Sequence, residues 1–154
     1  MASSLIRTNK DYVLALSRIA LGLVAFPYGA QKVVPIAALW GGDGFGAAMR
    51  VYENTHGLPG FLAGFLILAE FAGGFALLLG LFGRLAAAVV GVVMGLWMIL
   101  VWDTGWFVHA GPSGQLRHGI EFYVLILALC VPVLLRGSGA FSIDLMVQNA
   151  SKKG

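Results

Sequence analysis

The chain has 154 residues, 59% of them hydrophobic and only 11% charged, with a formal net charge of +3. A soluble domain carries roughly 25% charged residues, so this composition excludes a mostly water-facing surface. The basic residues are scattered near the ends of apolar runs and form no clustered stripe, which argues against nucleic-acid binding. The lone Cys130 leaves no intrachain disulfide, CxxC redox pair or cysteine-based zinc site.

Four apolar runs are long enough to cross a bilayer core, which takes roughly 20 helical residues. The first, residues 12–34, carries Arg18, Gly22, Ala25, Gly29 and Lys32 at three- and four-residue spacing. Pro27 is expected to kink it. Arg18 interrupts the apolar stretch and no small-x-small site follows, so the run is expected to stay as a span and not to be cleaved as a signal peptide. The connection 35–57 holds Gly41, Gly42, Gly44 and Gly46, and its stretch 45–54 is amphipathic, which predicts a short interfacial helix. The second run, 58–82, repeats the small or polar seam with Gly60, Gly64, Ile67, Glu70, Gly74 and Leu77. Gly83-Arg84 reads as a tight turn into the third run, 85–102, whose seam is Ala88, Gly91, Gly95, Met98 and Trp102. A glycine- and proline-containing connection, 103–118, leads to the fourth run, 119–135, where Pro132 predicts a second kink.

The fold class that follows is an all-α membrane protein. A single domain, residues 1–154, forms a four-transmembrane-helix bundle with an interfacial helix in the first outer loop. Lipid supplies little hydrophobic drive between helices, so the small-residue seams are expected to be the packing faces. Arg7, Lys10, Arg84, Arg136, Lys152 and Lys153 fall on one side, which makes both termini cytoplasmic by the positive-inside rule. Trp40, Trp102 and Trp106 then gather at the outer interface, where indoles prefer to sit.

Arg18, Lys32, Glu70 and Glu121 lie within or at the rim of the spans. Ions at that depth are costly and normally face the bundle interior, where they pair or do chemistry. With the helices drawn level, Arg18 and Glu70 are about 8 Å apart along the axis, which predicts a buried Arg18–Glu70 pair. Lys32 and Glu121, both near the outer ends, make a second expected pair. The outer end also gathers Tyr28, Gln31, Asp103, Trp106, His109 and His118. Tyr28, Gln31, Lys32, His118 and Glu121 form the proposed ligand or proton site, with His118 and Glu121 expected to meet at i, i+3 spacing. His109, His118 and Glu121 are weak metal candidates. All three histidines, His56, His109 and His118, map to the outer side, which argues against a haem buried in the bundle. A quinone headgroup suits the outer end, where donors, a protonatable group and an apolar surface meet.

The motifs Arg18-Ile19-Ala20-Leu21-Gly22, Gly29-Ala30-Gln31-Lys32, Glu70-Phe71-Ala72-Gly73-Gly74, Gly80-Leu81-Phe82-Gly83-Arg84 and Gly119-Ile120-Glu121, closed by the segment 137–144, Gly-Ser-Gly-Ala-Phe-Ser-Ile-Asp, occur in order along the chain. In that order they resemble the DoxX family of small bacterial integral membrane proteins. The resemblance implies a multi-pass four-helix protein of the inner membrane, with Arg18, Lys32, Glu70 and Glu121 at polar family positions. It also implies a redox association, because some relatives are quinone-linked oxidoreductase subunits and others accompany oxidative-stress or thiol enzymes. The functional expectation is a redox-associated accessory subunit or quinone-interacting component of a larger membrane complex, an enzyme only as part of a quinone-linked oxidoreductase. Its partners would be membrane lipid and other membrane subunits, or further copies of itself. A small-solute or proton-coupled transporter is the alternative, resting on the depth of Glu70.

Overall fold

The computed structural model describes residues 6–34, 42, 44–110 and 116–152, without the side chains of residues 104, 109, 116 and 117. Trp40, residues 35–41 and 43 of the glycine-rich connection and the tip of the 103–118 connection, 111–115, lie outside the described residues. Six helices are described: α1 (Tyr12–Val33), α2 (Phe45–His56), α3 (Gly60–Leu79), α4 (Gly83–Leu100), α5 (Ile120–Arg136) and α6 (Ile143–Ala150). A 3-10 turn at Trp102–Thr104 and a two-residue antiparallel ladder, His109 opposite Arg117, occupy the connection between α4 and α5.

α1, α3 and α4 are long and apolar enough to cross a membrane. α5 is shorter, at 17 residues, and equally apolar in character. Each helix leaves large apolar side chains uncovered, among them Leu16, Phe61, Val92 and Leu125. Water would penalise that much apolar surface, whereas acyl chains would not. α1 packs against α3 and α5, and α4 packs against α3 and α5, so the four long helices close a ring. Leu21, Leu77, Val90, Ile126, Cys130 and Val133 fill its centre.

Glycines set the register of the tightest contact. A Cβ on Gly74 would sit 2.6 Å from Phe26 Cα, and one on Gly29 would run into the backbone of Phe71. Gly22 in turn faces Leu78. The helices therefore run antiparallel with 22 opposite 78, 26 opposite 74 and 29 opposite 71. The seams read for α1 and α3 are the packing faces. The seam read for α4 is not. Gly91 makes only ordinary contact with Cys130, and a Cβ on Gly95 would meet nothing within 4 Å. Gly83, Ala86, Ala87, Val90, Val93 and Met94 face inward instead, so the inward stripe lies about one residue from the predicted one.

Both ends of the described chain lie at one end of the bundle, called here the terminal end. Gly139 N donates to Thr8 Oγ1 (2.8 Å), and Ala140 N donates to the Asp11 carbonyl (2.9 Å). Arg18, fully buried, donates from Nε to the Ser138 carbonyl (2.7 Å) and from its two Nη atoms to the carbonyls of Leu77, Leu78, Ala140 and Phe141. The guanidinium thus caps the negative end of the α3 dipole and ties the chain after α5 to it. Asp144 answers from the other side of the same turn. It accepts from Phe82 N (2.8 Å), Gly83 N (2.9 Å) and Ser138 Oγ (2.5 Å), which places a carboxylate at the α4 N-terminus. Those bonds hold Phe82 at φ +47, a left-handed conformation unusual for a side chain of its size. No apolar run after residue 135 predicts a further element. Ser142 nonetheless starts α6 by accepting from Leu145 N (3.2 Å).

Candidate functional site

The expected Arg18–Glu70 pair does not form. In the glycine-set register Glu70 is level with residue 30, so Arg18 lies twelve residues away, roughly 18 Å by helical rise. That is beyond the reach of its side chain. Drawing the helices level gave the wrong offset, because α1 stops short of the far end of α3. Lys32 is only two residues from the level of Glu70, and its Nζ donates to Glu70 Oε2 at 2.5 Å. This is the sole salt bridge among the described residues. Glu70 is 1% exposed and the Lys32 side chain 17%.

The pair walls a cavity of about 240 Å3 at the end of the bundle opposite the termini. α1 contributes Tyr28, Gln31 and Lys32, and α3 contributes Glu70. Met94 and Trp97 come from α4, and Phe122 and Tyr123 from α5. α2 closes the site with Tyr52, which packs with Ala63, Leu66, Ile67 and Val93. The Lys32 ammonium lies 5.7 Å from the Tyr52 ring centre and 5.8 Å from that of Trp97, a cation–π arrangement. An ammonium has three N–H donors, of which Glu70 takes one.

Tyr52 is 3% exposed, and its Oη has no hydrogen-bond partner among the described residues. The Trp97 indole is close to it but lacks hydrogen-bond geometry. Burial, with the Glu70 charge adding to it, pushes the Tyr52 phenol above its ordinary value. The group therefore keeps its proton and can donate. A buried polar atom without a partner is uncommon and costly, and here it borders a cavity. The site can thus offer two kinds of donor, ammonium and phenol, with a carboxylate behind them and flat aromatic walls.

Of the predicted site residues, Tyr28, Gln31 and Lys32 line the cavity, whereas His118 and Glu121 do not. His118 precedes α5 by two residues, so no helix puts it on one face with Glu121. It is exposed, stacks on Phe122 (4.4 Å between ring centres) and bonds through Nε2 to Tyr28 Oη at 2.6 Å. The expected Lys32–Glu121 pair does not form either. Glu121 Oε1 accepts from Val108 N (3.2 Å), while its own N donates to the Trp106 carbonyl (3.1 Å). A Cβ on Gly119 would collide with that 106–107 backbone, so the glycine lets the loop seat on the start of α5 and occupy Glu121. The side chain of His109 lies outside the described residues, and among the described residues no three His, Cys, Asp or Glu side chains come together as a metal-binding group.

Tyr52, Trp97, Phe122 and Tyr123 belong to the site and were missed. Tyr52 could have been found as the apolar-face residue of an amphipathic helix, since Phe45, Ala48, Met49 and Tyr52 recur at helical spacing.

A closed ring of apolar helices with an ion pair inside defines a multi-pass membrane protein with a polar interior site. The sequence model of the DoxX family matches residues 13–110, from α1 to the first strand of the ladder, which is well over half of the chain. The chain belongs to the DoxX family. That match includes Arg18, Lys32, Tyr52 and Glu70, and stops before α5. No curated protein and no solved structure matches the chain significantly.

Proposed function

We propose that this protein is a four-span inner-membrane component of a redox-associated complex, binding the ring headgroup of a quinone or similar amphipathic carbonyl compound at its outer end. α5 is the fourth span: 17 residues is the lower limit for crossing, and α5 completes the ring with α1 and α4. α2 lies at the outer interface, with its apolar face on α3 and the cavity, and both termini are cytoplasmic. The observation that carries the reading is the Lys32–Glu70 pair set beside the unpartnered Tyr52 hydroxyl in an aromatic cavity. A ring carbonyl would accept from Tyr52 or from a free Lys32 N–H, while the aromatic faces sandwich the ring. At about 240 Å3 the cavity is below the ~300–1,000 Å3 of sites for whole drug-sized molecules, so it suits a headgroup whose tail leaves toward lipid. The Tyr28–His118 hydrogen bond (2.6 Å) stands at its rim.

Lipid extraction of gently purified protein should yield near-stoichiometric quinone, and a short-chain quinone should quench fluorescence that Trp97→Phe removes. Tyr52→Phe should weaken that quenching on the order of tenfold, the effect of one lost hydrogen bond. No quinone in the extract and no quenching of the wild type would overturn the reading. The accessory role predicts a stoichiometric partner subunit in native mass spectra of a mild-detergent extract. The ion pair within the bundle favours one other reading, a proton-coupled transporter, which proton uptake into proteoliposomes abolished by Glu70→Gln would support.

A further inference from the structure

At the opposite rim three arginines from distant parts of the chain converge on one cavity of about 320 Å3: Arg7 from the N-terminal segment, Arg84 from α4 and Arg136 from α5. Gly137, at φ +94, makes the meeting possible, since a Cβ there would sit 2.6 Å from the Arg7 carbonyl. None of the three forms a salt bridge among the described residues. Asp11 is the one carboxylate in the wall, and one of its oxygens accepts from Leu14 N at the start of α1 (3.0 Å). Arg136 stands in the last turn of α5, where a cation is favoured by the helix dipole. Arg84 stands in the first turn of α4, where the dipole opposes it, and its Nε is buried without a hydrogen-bond partner among the described residues. The helix explains Arg136; Arg84 forms no salt bridge among the described residues, even though Asp144 binds the N–H groups of Phe82 and Gly83 just before it.

A second cavity of about 360 Å3 shares Asp11, Leu14 and Arg136 with the first and continues between α1 and α5 past Val13, Ser17 and Pro132. The Ser17 hydroxyl is already bonded to the Val13 carbonyl (3.0 Å), so this extension offers mainly apolar contact. A cationic pocket opening into a lipid-facing groove matches a phosphate headgroup followed by an acyl chain, and a small soluble anion would leave the groove unused. We propose that this rim binds one anionic phospholipid, its phosphate held by Arg7, Arg84 and Arg136 and one acyl chain laid between α1 and α5. Basic pockets between membrane helices recognise such headgroups. The inference rests on the membrane-spanning reading and is independent of the ligand at the outer end.

Native mass spectrometry of the full chain in mild detergent tests it, with phosphatidylglycerol and phosphatidylcholine of identical acyl chains as probes. One phosphatidylglycerol per chain should be retained with an affinity at least about tenfold above phosphatidylcholine. The double substitution Arg7→Gln and Arg84→Gln should remove that preference while leaving the protein monodisperse. Equal retention of the two lipids by the wild type would overturn the proposal, and that comparison decides the matter even if the double variant fails to fold. Displacement of phosphatidylglycerol by inorganic phosphate alone would also overturn it, because the site would then be one for a free anion.

Discussion

Lys32→Met should destabilise the protein by about 3–5 kcal/mol, the range for removing one partner of a buried ion pair. Methionine approximates the length of the lysine side chain and leaves little cavity, so the loss falls on Glu70. That carboxylate is 1% exposed and has no second salt-bridge partner among the described residues. It must then stay charged without compensation or take up a proton. The prediction includes a rescue. In the double variant Lys32→Met, Glu70→Leu the unpaired charge is gone, and most of the stability should return because apolar replacement of a whole buried pair is close to neutral. Unfolding in mixed micelles measures both variants. Strictly additive losses would mean that the two side chains are not partners.

Arg18→Met should be comparably damaging for a different reason, since each buried acceptor left unsatisfied costs about 1–3 kcal/mol. Arg18 donates to carbonyls of Leu77, Leu78, Ser138, Ala140 and Phe141. Removing it leaves buried acceptors at the α3 C-terminus unsatisfied and frees the segment that carries Asp144. The segment 137–142 should become sensitive to limited proteolysis, a readout that loss of the Lys32–Glu70 pair would leave largely unchanged. Arg18→Lys should not restore protection, because an ammonium is a compact charge with three donors and cannot span five acceptors as the planar guanidinium does.

The positions of the long helices were legible because period, length and apolarity of the runs survive without any partner. α1 was expected at 12–34 and spans Tyr12–Val33; α5 was expected at 119–135 and spans Ile120–Arg136. That charged side chains turn inward was also legible from the cost of leaving them in lipid. Their partners were not, because pairing depends on the axial stagger of helices and the runs alone do not state it. Gly22, Gly29 and Gly74 held that information, since matching glycines to bulky neighbours across an antiparallel pair puts residue 29 against 71 and Lys32 near Glu70. Glu121 went astray through a loop: the backbone of Trp106 and Val108 reaches it first. Tyr52 was hidden because the amphipathic pattern of 45–54 predicts an interfacial helix without stating what its apolar face covers, and that face roofs the site. The polar cluster of the terminal end was hidden too, since the 137–144 motif does not show in sequence that Arg18 binds its backbone or that its Asp144 binds the turn before α4.

The most direct test of the interior site is the Lys32 Nζ to Glu70 carboxylate distance, measured by solid-state NMR on selectively labelled protein in lipid bilayers. A strong dipolar coupling, matching an N–O separation of 2.5 Å, with no coupling from Arg18 to Glu70, is the predicted result. Coupling of Glu70 to Arg18, or to neither cation, would contradict it.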